Sequence, residues 1–83
     1  MSKRVAIYTT PTCTYCRATK EFFKQHDVQY DEYNVGLDAT RRQEMVDKSG
    51  QMGVPVISVT DEEGDESIIV GFNKNALANA LEV

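Results

Sequence analysis

Between Lys3 and Val35 the spacing of apolar residues switches from alternation to a helical period and back again, and this restricts the fold more than any other feature. Lys3 to Thr9 alternates and is rich in strand formers, with Val5, Ile7 and Tyr8. Thr10-Pro11-Thr12 breaks that run. From Thr14 to His26 the apolar residues Tyr15, Ala18, Phe22 and Phe23 share one helical face, with Arg17, Lys20, Glu21 and Lys24 around it. Val28 to Val35 alternates once more. Strand, helix and strand in this order form a βαβ unit, which requires parallel strands joined by a right-handed crossover.

The second half ends differently. Asp38 reads as the cap of a second helix that runs to the stop signal Ser49-Gly50. Val54 to Val59 reads as a third strand, with Pro55 near its start. The acidic turn Asp61-Glu62-Glu63-Gly64-Asp65 then sends Glu66 to Val70 back as a hairpin partner. Asn73 caps a last helix with Ala76, Leu77, Ala80 and Leu81 turned inward. The expected order is β-α-β-α-β-β-α, an α/β domain spanning residues 1–83 with a mixed four-stranded sheet and helices on both faces. The acidic turn lacks the ligand spacing of a calcium loop and reads as a solvated hairpin.

Two cysteines, Cys13 and Cys16, lie where the first strand gives way to the first helix. Small secreted domains compensate for a thin core with several disulfides. A single bridge across this short loop would add little stability, so the pair is not a staple. The start Met1-Ser2-Lys3-Arg4 is basic, but the apolar stretch behind it is too short for a signal peptide or a membrane span. A cytoplasmic protein is therefore expected, and there such a pair cycles between thiol and disulfide. The net charge of −4 weighs against nucleic-acid and anionic-membrane partners. A zinc site would need two more ligands, and His26 is the only histidine; no metal is expected.

Thr12 reads as the cap of the first helix, which puts Cys13 at its positive end and Cys16 one turn further in. Free backbone N–H groups and the helix dipole there favour thiolate over thiol. A drop in pKa from about 8.5 to about 6 would raise the thiolate fraction at pH 7 from about 3% to about 90%. A Brønsted slope of about 0.4–0.5 returns roughly a tenfold loss of nucleophilicity, so attack gains only a few-fold. The acidified sulfur is also a better leaving group, so the shift chiefly helps turnover of a mixed disulfide.

Three stretches together resemble the glutaredoxin branch of the thioredoxin superfamily: Tyr8-Thr9-Thr10-Pro11-Thr12-Cys13-Thr14-Tyr15-Cys16, Gly53-Val54-Pro55-Val56-Ile57 and Ile69-Val70-Gly71-Phe72. The resemblance implies a thioredoxin-like fold and a thiol–disulfide oxidoreductase active in electron transport and cell redox homeostasis. It makes Cys13 the nucleophile and Cys16 the resolving thiol, with Thr12, Tyr15, Val54, Pro55, Gly71 and Phe72 lining the substrate site. It also implies a cis Val54–Pro55 bond. Partners would be disulfide-containing proteins and an electron donor, with no tightly bound cofactor and a monomeric chain.

Departures from the family pattern bear on that donor. Thr14 stands where glutaredoxins carry proline, and Thr10 where they often carry lysine. Gly71-Phe72-Asn73-Lys74-Asn75 stands where a Gly-Gly and acidic residues grip glutathione, and Gly71-Phe72 resembles redoxins fed by thioredoxin reductase. Glutathione and thioredoxin reductase both remain open as donors. The alternative is an iron–sulfur or metal carrier, in which two chains and two glutathiones hold a cluster through Cys13.

Overall fold

The computed structural model describes residues 3–81; Met1 and Ser2, half of the basic start, lie outside the described residues. Seven elements follow in the expected order: β1 Arg4–Thr9, α1 Thr14–Gln25, β2 Asp31–Asn34, α2 Ala39–Ser49, β3 Val56–Thr60, β4 Glu66–Val70 and α3 Lys74–Leu81. The strands form one mixed sheet in the order β2-β1-β3-β4. β1 pairs parallel with β2, and antiparallel with β3, which pairs antiparallel with β4. This is the thioredoxin-like fold.

Alternation along β1 sends side chains to two separate cores. Val5 and Ile7 point to the face where Ile57, Val59 and Ile69 meet Phe22 and Phe23 of α1 and Leu77 of α3. Tyr8 points the other way, with Val56, toward Met45 of α2 and Val35. α1 and α3 thus cover one face and α2 the other. Phe23, Met45 and Leu77 are fully buried, each removal from water contributing about 1.5–3 kcal/mol.

Several element ends differ by one residue from the sequence reading, and three boundaries differ for a visible reason. β2 begins at Asp31 rather than Val28. The Val28 amide donates to the Phe23 carbonyl at 2.8 Å and Asp27 takes a left-handed φ of 54°, so this segment closes α1 before the chain can pair with β1. β3 begins at Val56 rather than Val54, since Pro55 has no N–H to give a ladder. α1 is capped by Cys13 and not by Thr12.

Other signals act as read. Asp38 caps α2 by accepting from the Arg41 amide at 3.0 Å, and Gly50 ends it with φ 75°. Asn73 caps α3 through the Ala76 amide at 3.1 Å. Asp61 accepts from the amides of Glu63 and Asp65, which closes the acidic hairpin turn. No helix among the described residues is long and apolar enough to cross a membrane.

Candidate active site

The ends of β1, β2 and β4 and the beginning of β3 lie together, because Tyr33, Tyr8, Val56 and Val70 stand in one cross-sheet row. Every loop that carries a site residue springs from this row. The first leaves β1 through a tight turn, in which the Cys13 amide donates to the Thr10 carbonyl at 3.2 Å. Cys13 then takes an extended conformation, φ −82° and ψ 113°, as the N-cap of α1. Its Sγ accepts from the Cys16 amide at 3.1 Å, so sulfur takes the place usually filled by a serine or aspartate oxygen.

Cys13 and Cys16 form a disulfide, their Cα atoms 5.2 Å apart. The two sulfurs stand in unlike surroundings. Cys16 is 1% exposed, whereas Cys13 is only half-buried. A partner approaching from solvent therefore meets Cys13. The first turn of α1 holds no carboxylate that would oppose negative charge on that sulfur.

The remaining predicted residues divide into framework and rim. Pro55 is buried, Val54–Pro55 is cis as the resemblance implies, and Val54 packs beside the Tyr8 and Met45 core. The Pro55 carbonyl accepts from the Gly71 amide at 2.8 Å, tying the end of β4 to the start of β3. Gly71 makes that link with φ 78°. Phe72 turns inward and meets Phe22 edge-on, ring centres 6.4 Å apart, as part of the α1 and α3 core. Thr12 is exposed, and Tyr15 is exposed although its helical spacing groups it with the apolar face. His26 caps the far end of α1 and packs its ring 4.5 Å from that of Phe22.

Two polar clusters beneath the site escape a sequence reading. Glu32 of β2 accepts from Thr9 at 2.9 Å and from Lys20 at 2.8 Å, tying α1 to the sheet edge; the Lys20 bond holds its carboxyl below the usual range. On the other face Tyr8 donates to Glu44, which also pairs with Arg41 at 3.2 Å. The Arg41 guanidinium lies 4.0 Å from the centre of the Tyr33 ring. Apart from Arg41–Glu44, which stands at i,i+3 spacing on α2, the hydrogen bonds join residues 12 to 36 positions apart, and no local spacing announces them. Leu37 stands exposed beside the α2 cap, and in the sequence it is an isolated leucine between Gly36 and Asp38, outside any apolar period.

A family model described as Glutaredoxin matches residues 5–63. A glutaredoxin-like 8.6 kDa protein from Clostridium pasteurianum, itself uncharacterized, is 42% identical over 94% of this chain and 97% of its own. Glutaredoxin 3 of Escherichia coli strain K12 is 36% identical over 66% of each chain. The crystal structure of a glutaredoxin from Archaeoglobus fulgidus superposes with a TM-score of 0.75 at 26% identity, covering 96% of this chain and 87% of that one.

Proposed function

The chain belongs to the glutaredoxin family, and from that premise we propose that it reduces disulfides of proteins through the Cys13/Cys16 dithiol. The observation that carries this reading is the contrast between the two sulfurs: Cys13 half-exposed at a helix N-cap and accepting an amide N–H, Cys16 buried one turn behind it. That contrast supports Cys13 as the attacking sulfur and Cys16 as the resolving one.

In the reduced protein the Cys13 thiolate attacks one sulfur of a substrate disulfide. A mixed disulfide forms, and the other substrate sulfur leaves as a thiolate and takes a proton from water. Cys16 loses its proton and attacks the Cys13 sulfur. The second substrate sulfur departs, and the Cys13–Cys16 disulfide remains. Two electrons have passed to the substrate. Proximity carries the second step, because Cys16 is held within one turn. One pair completes this cycle within one chain, which suits a monomer, and a cycling pair suits the reducing cytoplasm.

Returning to the dithiol needs a donor of two electrons, either glutathione or thioredoxin reductase. The reading favours thioredoxin reductase. Thr10 and Lys74 stand where glutathione-binding relatives present a lysine and an acid, and the Asn73 side chain is committed to capping α3. A coupled NADPH assay tests this directly. Turnover is expected with thioredoxin reductase; turnover only with glutathione and glutathione reductase would reverse the choice of donor, and none with either would remove the oxidoreductase reading.

A further inference from the structure

Four large apolar side chains stand out into solvent among the described residues: Tyr15, Leu37, Met52 and Val70, at 66%, 87%, 69% and 48% exposure. All four belong to the end of the sheet that carries Cys13. Tyr15 lies in the first turn of α1, which follows β1. Leu37 follows β2, where the Val35 amide donates to Thr9 and a Cβ on Gly36 would come within 3.9 Å of the Thr10 methyl. Met52 precedes Pro55 by three residues. Val70 ends β4 opposite Val56. Scattered single apolar residues are ordinary on a surface, whereas four at one end of the sheet, the end that carries Cys13, mark a contact area.

Charge is sorted along the same axis. All three helices begin at this end, and none has a carboxylate in its first turn. Arg17 and Lys74 are exposed there and form no ion pair among the described residues. Asp38 uses its carboxylate to cap α2. At the far end the β3–β4 turn gathers Asp61, Glu62, Glu63 and Asp65. A chain of net charge −4 thus turns a positive, apolar end toward whatever approaches Cys13.

We infer that this rim docks a polypeptide whose disulfide is flanked by apolar and acidic residues. The inference rests on the dithiol reading above and names the substrate class of that site. Leucine-like side chains on the partner cover Leu37 and Met52. Its carboxylates meet Arg17 and Lys74, and the same field draws it in with Cys13 leading, an effect that raises association rates and fades with salt.

The test uses the reduced full chain and short peptides, each closed by its own disulfide. The residues beside the cysteines are leucine with glutamate, leucine with lysine, serine with glutamate, or serine with lysine. Stopped-flow rates should be highest for leucine with glutamate, about tenfold above serine with lysine at low salt, and the gap should narrow as ionic strength rises. Leu37→Ser should slow only the leucine peptides, by about threefold. Lys74→Glu should erase the preference for glutamate. Both variants should match the parent with 2-hydroxyethyl disulfide, a small neutral substrate. Equal rates for all peptides, or a preference for lysine, would overturn the docking proposal while Cys13-dependent exchange upheld the dithiol reading. No exchange with any substrate would remove both.

Discussion

Tyr8, on the central strand, donates its hydroxyl to Glu44 of α2 across 36 residues of chain. Burial, then this bond, raises the Tyr8 pKa well above its ordinary value. The same bond, supported by Arg41, holds the Glu44 carboxyl below the usual range. Glu66 is depressed in the same way by Lys48 at 2.7 Å and by Ser58. α2 is therefore pinned across the sheet by two ionised carboxylates as well as by Met45.

An acid-sensitive stability follows, with a defined sign. A carboxyl whose folded pKa is depressed contributes stability above the unfolded value of about 4.3, and loses it as pH falls through the folded value. Thermal midpoints should hold steady from neutral pH down to about 5 and then drop. Glu44→Gln should lower the midpoint at pH 7 and flatten the acid drop. A variant with the parent's full acid drop would show that Glu44 is not part of it.

Tyr8→Phe removes the donor and keeps the ring. The loss should be about 1 kcal/mol by urea denaturation. Reduction of 2-hydroxyethyl disulfide should stay within about twofold of the parent, because the change sits beneath the site and leaves both sulfurs in place.

Cys13→Ser and Cys16→Ser should separate the two roles. Serine is a good N-cap, so Cys13→Ser should keep α1 stable while abolishing all reduction. Cys16→Ser should leave Cys13 able to attack but unable to be released, and a mixed disulfide with a protein substrate should accumulate on non-reducing gels. Accumulation with Cys13→Ser instead would exchange the assignments.

The thiolate of reduced Cys13 should form at lower pH than that of free cysteine, about 8.5. The Cys16 amide and the open N-terminus of α1 supply the cause. Titrating the ultraviolet absorbance of the Cys16→Ser protein checks this. A midpoint no lower than that of free cysteine would remove the electrostatic basis of the mechanism.

Gly71→Ala should cost about 1 kcal/mol, since φ 78° disfavours any side chain even where open space surrounds it. Urea denaturation reads this directly; an unchanged midpoint would mean that the turn relaxes.

The element order was legible because each signal is local: period, proline, capping Asp38 and Asn73, stopping Gly50. The differences lie where neighbouring local signals compete. Thr12 looks like a cap by type, yet the turn back to Thr10 hands that position to Cys13. Val28 to Tyr30 alternate like a strand, yet Val28 is taken by the end of α1. Tyr15 fits the apolar stripe of α1 by spacing, but the buried face of that helix runs through Cys16, Thr19, Phe22 and Phe23, and Tyr15 stands exposed beside it.

The two cysteines at a strand–helix junction, the βαβ beginning and the hairpin end were legible from residues alone, because spacing and residue type act over a few residues. Packing and register settled which sulfur meets solvent, how Gly71 joins Pro55, and that Leu37, Met52 and Val70 stand exposed at the same end of the sheet as Cys13. Those outcomes depend on strand direction and register, which bring together residues separated by tens of positions.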